Sequence, residues 1–238
     1  MKSDKVGTLY LIPISIGEVP ADYYQPRHNV DIISGLSTYV VENAKTARRY
    51  IKSVCPDRDI SELTILEIDK HDAYAFPPQA LQLLREGQDM GLMSEAGCPA
   101  VADPGSNLVA EAHRIGARVV PLVGPSSILL SLMASGFNGQ SFSFHGYIPF
   151  DAQRRKELFG EFVKRSNRGE TQIFIEAPYR NDKLIDELLR ILPSEFRLCV
   201  ACDLTTEREE IISRSVASWK VTDRPSFHKR PCIFLISN

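Results

Sequence analysis

The sequence predicts an α/β protein whose first half folds around a mainly parallel β-sheet. Short runs rich in β-branched and aromatic residues alternate with helical patterns along this half, which is the order expected of consecutive βα units. Gly and Pro cluster between the runs, where turns are expected. The predicted strands are residues 7–14, 37–42, 63–68, 89–94 and 117–123.

Helices are predicted in the gaps between these strands. Residues 43–54 place apolar side chains on one stripe, and Asn43 is a candidate N-cap for that helix. Residues 77–87 begin with Pro and end with Gly, the usual asymmetry of a helix start and stop. Residues 106–116 follow the same logic, with Ser106 predicted as the cap.

The pattern changes after "MASGFNGQS", residues 133–141, and this Gly- and Asn-rich stretch is the predicted domain boundary. We therefore expect two domains, residues 1–138 and 139–238. In the second domain, helices are predicted near residues 152–165 and 180–192, and strands in residues 142–148, 171–177, 196–204, 209–216 and 232–236.

Composition narrows the class of protein. The formal charge of −2 gives no support to attraction of nucleic acid by the molecule as a whole. Five scattered cysteines predict a reduced, cytoplasmic protein. Cys199 and Cys202 lie on opposite faces of a predicted strand, so we expect no metal there. The apolar runs are too short to span a bilayer, and no membrane association is expected.

Two loops carry more special residues than a turn requires. "SEAGCPAVADPGS", residues 94–106, and "LVGPSS", residues 122–127, each follow a predicted strand and precede a predicted helix. In a parallel sheet both loops emerge at the carboxyl edge, where open α/β folds bind ligands. Glycines allow close approach of the backbone to a ligand, and prolines stiffen the loops in advance. The alternative is that both are ordinary βα turns.

The residue types in these loops restrict the ligand. The chain has no phosphate-binding GxxxxGK[ST] loop and no GxGxxG dinucleotide fingerprint. Residues 94–106 carry carboxylates and no cationic side chain, which favours a neutral or cationic ligand over a phosphate.

Residues 94–150 resemble the signature block of the tetrapyrrole methylase superfamily, and within it the bacterial enzymes that 2'-O-methylate a cytidine of 16S rRNA. That family's pattern runs roughly SDAGTPxISDPG, VxPxPGPSA, ALxxSGLP and FxFxGFLP. The likeness continues through most of the chain, in "LYLIPISIGE", "VVENAKTARRYI", "RRKELF", "FIEAPYR" and "DLTTEREEIISRSV".

The resemblance implies two α/β domains, the first with a mainly parallel sheet and the second with a mixed sheet. It also implies a homodimer and S-adenosyl-L-methionine bound in the cleft between the domains. Carried over by position, the implied cofactor contacts are Ile12, Pro13, Gly97, Cys98, Pro99, Val101, Ser126, Ser127 and Ala177.

The chain departs from the family pattern at several motif positions. Glu95 replaces an Asp, Cys98 replaces a Thr, the family's EDTR run becomes "ENAK", and its ESPHR run becomes "EAPYR". The rRNA enzymes also carry a further small C-terminal domain that we expect this chain to lack. These differences affect the expected substrate more than the expected cofactor.

Methyl transfer from a sulfonium is an in-line displacement that needs collinear groups in a water-poor site, and it requires no metal. A ribose hydroxyl nucleophile benefits from a general base, for which Glu42 and Glu95 are the candidates. Structural alternatives are that Glu42 anchors helix amides or pairs with Lys45, and that Glu95 caps a turn. Glu176 is a third candidate, with the alternative of holding Arg180.

By the resemblance, Arg154, Arg155 and Lys156 are expected phosphate contacts, and Lys45 is a further expected substrate contact. The alternative is that these basic residues form solvated faces. Positive charge at the predicted start of a helix opposes the helix dipole, which is a weak indication of an anionic partner. The sequence thus predicts a methyltransferase for RNA, most specifically 16S rRNA of the small ribosomal subunit. Two alternatives remain at this point: a methyltransferase for a tetrapyrrole or other small molecule, and a cofactor-binding protein with altered catalysis.

Overall fold

A computed structural model describes residues 5–68 and 75–238 of the chain. The chain divides into two compact units, Met1–Ser126 and Ser127–Asn238. The domain boundary predicted between residues 138 and 139 lies after the first helix of the second unit and stays a prediction.

The first unit is a five-stranded sheet in which every pair of neighbouring strands is parallel. The strand order is β3-β2-β4-β1-β5, and each of the five predicted strands is confirmed. The elements are β1 Thr8–Leu11, α1 Arg27–Gly35, β2 Thr38–Val41, α2 Ala44–Val54, β3 Thr64–Glu67, α3 Pro78–Arg85, β4 Met90–Met93, α4 Ser106–Arg114 and β5 Arg118–Pro121.

Helices cover both faces of this sheet. Tyr39 of β2 packs with Ile33 of α1 and Ile51 of α2 on one face. Val40 packs with Leu84 of α3 and Leu108 of α4 on the other. Successive strand residues point to opposite faces, so a strand covered on both sides reads as a continuous apolar run. This explains why β2 and β4 are buried along their whole lengths.

The two predicted helix caps have different outcomes. Asn43 caps α2 as predicted, because its side-chain oxygen accepts hydrogen bonds from the backbone amides of Lys45 and Thr46. The prediction for Ser106 was wrong, since Ser106 is the first residue of α4 and Gly105 precedes it with φ 121°. Glycine reaches that dihedral without a steric cost, so the chain turns into α4 through backbone geometry rather than a side-chain cap.

The second unit contains a mixed sheet of five strands in the order β6-β7-β10-β8-β9. Strands β6 and β7 are parallel, and the other pairs are antiparallel, which confirms the mixed sheet. Its elements are α5 Ser127–Ser135, β6 Phe142–Tyr147, α6 Ala152–Ser166, β7 Thr171–Ile175, α7 Asn181–Ile191, β8 Arg197–Cys202, β9 Glu210–Ser215, α8 Val216–Val221 and β10 Cys232–Ser237.

An aromatic cluster forms the centre of the second core. Phe174 of β7 stacks on Phe234 of β10 with ring centroids 5.8 Å apart, and Phe162 of α6 stacks on Phe174 at 5.2 Å. Cys199 and Cys202 both lie in β8, as predicted, and both are buried. Helix α5 packs against β8, β9 and β10.

Within residues 5–68 and 75–238, none of the helices combines the length and the apolar character that crossing a membrane requires.

Candidate functional site

Three segments of the first unit meet at the carboxyl edge of the sheet. They are residues 12–14 after β1, 97–101 after β4 and 123–126 after β5. The amide of Ile14 donates to the carbonyl of Gly97 at 3.0 Å. The Cys98 thiol donates to the carbonyl of Pro125 at 3.4 Å. The prediction that the two loops lie close together is therefore confirmed.

The strand order makes this edge a topological switch point. Strand β4 lies between β1 and β2, and its loop leads to α4 on one face of the sheet. The segments after β1 and β2 lead to α1 and α2 on the other face. Ligands of open α/β sheets bind where neighbouring connections diverge in this way.

Glycine is required where two of the segments touch. A Cβ atom on Gly124 would lie 2.3 Å from Cβ of Pro13, a distance that real structures do not tolerate. Gly97 has φ 68°, in the left-handed region. Gly124 therefore leaves room for the Pro13 ring, and Gly97 allows the left-handed turn of its loop.

The loop after β4 also holds two alanines in the left-handed region. Ala100 has φ 66° and Ala102 has φ 62°. Each such residue costs about 1–2 kcal/mol, and residues of this kind cluster at functional sites because the surrounding structure must impose the conformation. Alanine carries no sequence feature that predicts this strain.

A buried polar network fixes the carbonyls of two segments. The Gln25 amide nitrogen donates to the carbonyl of Pro13 and to the Tyr50 hydroxyl, both at 2.7 Å. Asn29 Nδ2 donates to the carbonyl of Val123 at 2.7 Å and to Gln25 Oε1 at 3.0 Å. Neither amide was predicted from the sequence. The available indication was Asn29 on the apolar face of α1, four residues before Ile33.

The predicted cofactor residues of the first unit are Ile12, Pro13, Gly97, Cys98, Pro99, Val101 and Ser126, and all lie in the three segments. Ile12 is fully buried, and its amide donates to the carbonyl of Leu92 at 2.9 Å. Val101 is exposed, and Cys98 and Ser126 are partly buried. Ser127 begins α5, and Ala177 follows β7, so both belong to the second unit.

Glu42, Glu95 and Asp103 form a group of carboxylates at the same edge. Glu42 Oε2 accepts a hydrogen bond from the Glu95 amide at 3.1 Å, so Glu42 contacts the loop after β4. The pKa of Asp103 is raised to about 6, chiefly by burial, while a hydrogen bond from Ser94 lowers it and the charges of Glu42 and Glu95 raise it. Asp103 thus titrates near neutral pH.

Our sequence analysis did not assign Asp103 a role. The available indication was its place in the same loop as Glu95. Lys45, the candidate substrate contact, lies in the first turn of α2 with an exposed side chain. The structure therefore puts Lys45 and the carboxylates at the ends of the neighbouring strands β2 and β4.

In the second unit, Ala177 lies beside an ion pair. Its amide donates to Glu176 Oε1 at 2.8 Å. Glu176 Oε2 lies 3.2 Å from Arg180 Nη2, and the Glu176 side chain is buried. Glu176 therefore holds Arg180, the structural alternative considered for it.

Left-handed residues also cluster in the second unit. Asp203 has φ 48°, Thr205 has φ 73° and Lys229 has φ 60°. The Lys229 amide donates to the carbonyl of Pro178 at 2.9 Å, which joins this region to the turn that follows Ala177. This cluster was not predicted from the sequence either, because the strain arises from contacts between distant segments.

The three basic residues at the start of α6 differ in their surroundings. Arg154 and Lys156 are exposed. Arg155 is mostly buried, its Nε lies 2.9 Å from both Glu187 carboxylate oxygens, and its Nη1 donates to the carbonyls of Pro149 and Phe150. Arg155 is therefore engaged within the protein, whereas Arg154 and Lys156 present their charges to solvent.

Two α/β units, the first with Gly- and Pro-containing loops at the carboxyl edge of its sheet, define a fold class that a solved structure shares. The crystal structure of the methyltransferase CobJ superposes on this chain with a TM-score of 0.62, covering 98% of this chain and 94% of that one, at 18% sequence identity. At that identity the likeness establishes the fold alone.

The family follows from sequence comparison. The family model for "Tetrapyrrole (Corrin/Porphyrin) Methylases" matches residues 29–218. The chain belongs to this family and, as a member, is a methyltransferase. The resemblance in the residue motifs is thereby confirmed.

Curated relatives refine the comparison. The protein named ribosomal RNA small subunit methyltransferase I from Bacillus subtilis is 30% identical to this chain, over 91% of this chain and 70% of the relative. The protein of the same name from Vibrio cholerae is 32% identical, over 85% of this chain and 67% of the relative.

Proposed function

We propose that this protein transfers a methyl group from S-adenosyl-L-methionine to a ribose 2'-hydroxyl of small-subunit ribosomal RNA. The observation that carries the proposal is the meeting of residues 12–14, 97–101 and 123–126 at the carboxyl edge of the first sheet. The names of the two curated relatives support the rRNA substrate.

The residues at this edge fit such a cofactor. Backbone groups and apolar side chains line the segments, including the exposed Val101, and no cationic side chain lies in residues 94–106 or 122–127. A sulfonium is a cation, so nearby carboxylates and carbonyls favour it electrostatically. When bound, the cofactor supplies an activated methyl group. The resemblance adds Ser127 and Ala177 of the second unit as further proposed contacts.

The protein's own part in the reaction is to orient the hydroxyl, exclude water and accept a proton. Glu42 and Glu95 remain candidate bases, and Asp103 is the strongest of the three. An ideal catalytic base has a pKa near the working pH, and the pKa of Asp103 is raised to about 6 by burial and by its acidic neighbours.

Substrate binding is proposed for Lys45, Arg154 and Lys156, whose charges face solvent and suit phosphate groups. Arg155 was also a candidate, and its bonds to Glu187 and to two carbonyls favour a supporting role for it.

A homodimer in the cytoplasm completes the proposal, on the strength of the family resemblance. Sedimentation equilibrium measures the assembly directly. The expected mass is twice the chain mass of 26.7 kDa, and a single-chain mass at micromolar concentration would remove the dimer from the proposal.

Calorimetric titration with S-adenosylmethionine and with its demethylated product tests the cofactor. Binding at micromolar concentration is expected, the scale on which such small ligands usually saturate their sites. A Gly124→Val variant is the matched control, because its side chain would clash with Pro13 and separate two of the segments. Absence of binding to the wild-type chain would contradict the proposal.

Mass analysis of 16S rRNA nucleosides tests the substrate, in cells with and without the gene. The expected result is loss of one ribose-methylated nucleoside in the deletion strain and its return on complementation. An unchanged ribose-methylation profile, with the cofactor still bound by the purified protein, would contradict the rRNA ribose as substrate. The methyl acceptor would then be another molecule.

A further inference from the structure

We propose that three exposed aromatic side chains of the second unit form a stacking surface for an unpaired segment of RNA. The surface consists of Tyr147, Phe150 and Tyr179 and is called the aromatic platform below. The inference rests on the proposed RNA methyltransferase function and specifies the conformation of RNA that the protein binds.

The platform holds the three most exposed aromatic side chains of the second unit, since Phe142, the next most exposed, is 39% exposed. The exposed fractions of Tyr147, Phe150 and Tyr179 are 67%, 77% and 57%. By contrast, Phe162 and Phe174 are completely buried in the core. Exposed aromatic side chains that lie together indicate a binding surface.

The chain brings the three residues to one edge of the sheet. Tyr147 is the last residue of β6, and Phe150 follows three residues later. Tyr179 lies in the helical turn Pro178–Arg180 after β7. Because β6 and β7 are parallel neighbours, and the Ile148 amide donates to the carbonyl of Ile175, both loops leave the sheet at the same end.

Arg180 connects the platform to a cationic cavity. Its guanidinium carbon lies 4.2 Å from the centroid of the Phe150 ring, and Glu176 holds its Nη2 at 3.2 Å. Arg180 also lines a cavity of about 300 Å³, together with Lys183 and Arg190. A cation and an exposed ring are therefore held next to one another before any ligand arrives.

The acidic residues of this cavity are already matched by arginines. Glu187 pairs with Arg155 at 2.9 Å, and Asp186 pairs with Arg224 at 2.7 Å. Within the described part of the chain, no carboxylate forms an ion pair with Lys183 or Arg190. The cavity thus has surplus positive charge, which is complementary to a phosphate group.

Aromatic rings beside free cations are the combination that binds single-stranded nucleic acid. Bases stack on the rings while lysine and arginine contact the backbone. In an RNA helix the faces of the bases are already stacked, so only an unpaired segment presents them. Arg154 and Lys156 at the start of α6 extend the positive charge alongside the loop that carries Phe150.

Binding of a fluorescently labelled RNA oligonucleotide tests the stacking, with a single strand and a duplex of the same length compared. We expect Phe150→Ala and Tyr179→Ala each to weaken single-strand binding about 5- to 150-fold, the effect of losing one stacked base. Tyr23→Ala is the matched control, because Tyr23 is 69% exposed but lies in the first unit. Phe150→Trp should retain binding.

Salt dependence tests the cavity. Lys183→Gln should reduce the slope of log affinity against log salt by about 0.7, the value for one phosphate contact in a single strand. Lys164→Gln is the control, because Lys164 is exposed near the other end of α6, where it pairs with Glu161. An unchanged slope in the Lys183 variant would overturn the phosphate site.

Three outcomes would overturn the platform. They are equal binding of the single strand by the Phe150→Ala and wild-type proteins, tighter binding of the duplex than of the single strand, and conversion of a dimer to a monomer by Phe150→Ala. The last would make this surface an interface between two copies of the chain. Calorimetry with S-adenosylmethionine separates these results from failure of the proposed function. Cofactor binding should be unchanged in the Phe150 variant, whereas a wild-type chain that binds no cofactor contradicts the function and not the platform.

Discussion

At the scale of single residues, the carboxyl group of Asp103 combines several opposing influences. Burial and the charges of Glu42 and Glu95 disfavour its ionised form, and the hydrogen bond from Ser94 favours it. The result is a pKa of about 6, raised from the ordinary value of 3.8. Because its ionised form is disfavoured, this carboxylate takes up a proton more readily than an ordinary Asp and is a more effective base.

Replacing Asp103 by Asn should lower the methylation rate about 10²- to 10⁴-fold, because a positioned general base contributes that much. In the wild-type protein the rate should fall below a pH of about 6, as Asp103 takes up a proton. Rate measurements between pH 5 and pH 9 test both statements. Glu42→Gln and Glu95→Gln are the matched controls. If one of them, rather than Asp103→Asn, abolishes the fall in rate at low pH, the residue replaced in that variant is the general base.

The same substitution should stabilise the protein. The folded-state pKa of Asp103 lies above its unfolded value, so ionisation opposes folding at a pH above about 6, and the penalty disappears as the pH falls toward 4. Because Asp103 is only partly buried, we expect a gain on the order of 1 kcal/mol at pH 8. Urea unfolding near pH 4 and at pH 8 measures the free energy of unfolding of both proteins. The difference between the variant and the wild type should be smaller near pH 4.

At the scale of secondary-structure elements, side chains of helices α1 and α6 hold backbone carbonyls of loops outside the helices. Asn29 and its neighbour Gln25 hold the carbonyls of Val123 and Pro13, each in a different segment of the candidate site. Arg155 of α6 holds the carbonyls of Pro149 and Phe150, in the loop that carries the aromatic platform.

Asn29→Ala should weaken cofactor binding and leave the rate at saturating cofactor nearly unchanged. Removing its side chain leaves both the buried Gln25 Oε1 and the carbonyl of Val123 without this donor, and the unpaired buried oxygen of Gln25 costs about 1–3 kcal/mol of stability. Cofactor titration, rate measurement and urea unfolding report the three effects. Ser34→Ala in the same helix removes only an exposed hydroxyl and should behave as wild type.

Replacing Arg155 should mainly lower folding stability, whereas replacing Arg154 and Lys156 should mainly change RNA binding. Arg155→Ala should cost about 1.5–3 kcal/mol of folding stability, because charged hydrogen bonds to Glu187 are lost. The double variant Arg154→Ala, Lys156→Ala should change stability by less than about 0.5 kcal/mol. It should reduce the salt slope of RNA binding by about 1.4, for two lost phosphate contacts. A destabilised double variant with an unchanged slope would contradict this division of roles.

At the scale of the whole molecule, charge is distributed unevenly. The formal charge is −2, so positive potential for RNA must come from local groups such as Lys45, Arg154, Lys156 and Lys183.

The cysteines also differ in their exposure. Of the five cysteines, four are buried, and Cys98 is the partly exposed one. Buried thiols are inert, because reagents require an accessible thiolate.

Alkylation should therefore modify Cys98 alone in the folded protein and all five cysteines in urea. Burial and the charge of Asp103 raise the pKa of the Cys98 thiol, so its labelling should be slower at neutral pH than that of a free thiol and should accelerate as the pH rises. S-adenosylmethionine should protect Cys98, because Cys98 lies in a proposed cofactor segment. Peptide mass analysis follows each site, and unprotected labelling at saturating cofactor would place the ligand elsewhere.

The sequence by itself determined the βα order of the first unit, the strands and helices of the second unit, and the two loops at the carboxyl edge. These features depend on neighbouring residues: the period of apolar side chains, the caps such as Asn43, and the Gly and Pro that follow each strand. The motif series also indicated the family before any contact was known, because its residues recur in a fixed order along the chain.

Only the tertiary structure decided the state of individual groups. The pKa of Asp103 depends on Glu42, which is distant in sequence, and Asn29 bonds to Val123 across most of the first unit. Arg154 and Arg155 are adjacent in sequence, yet one faces solvent and the other is paired with Glu187. Burial and long-range pairing are properties of the folded chain, so local patterns of residues do not encode them.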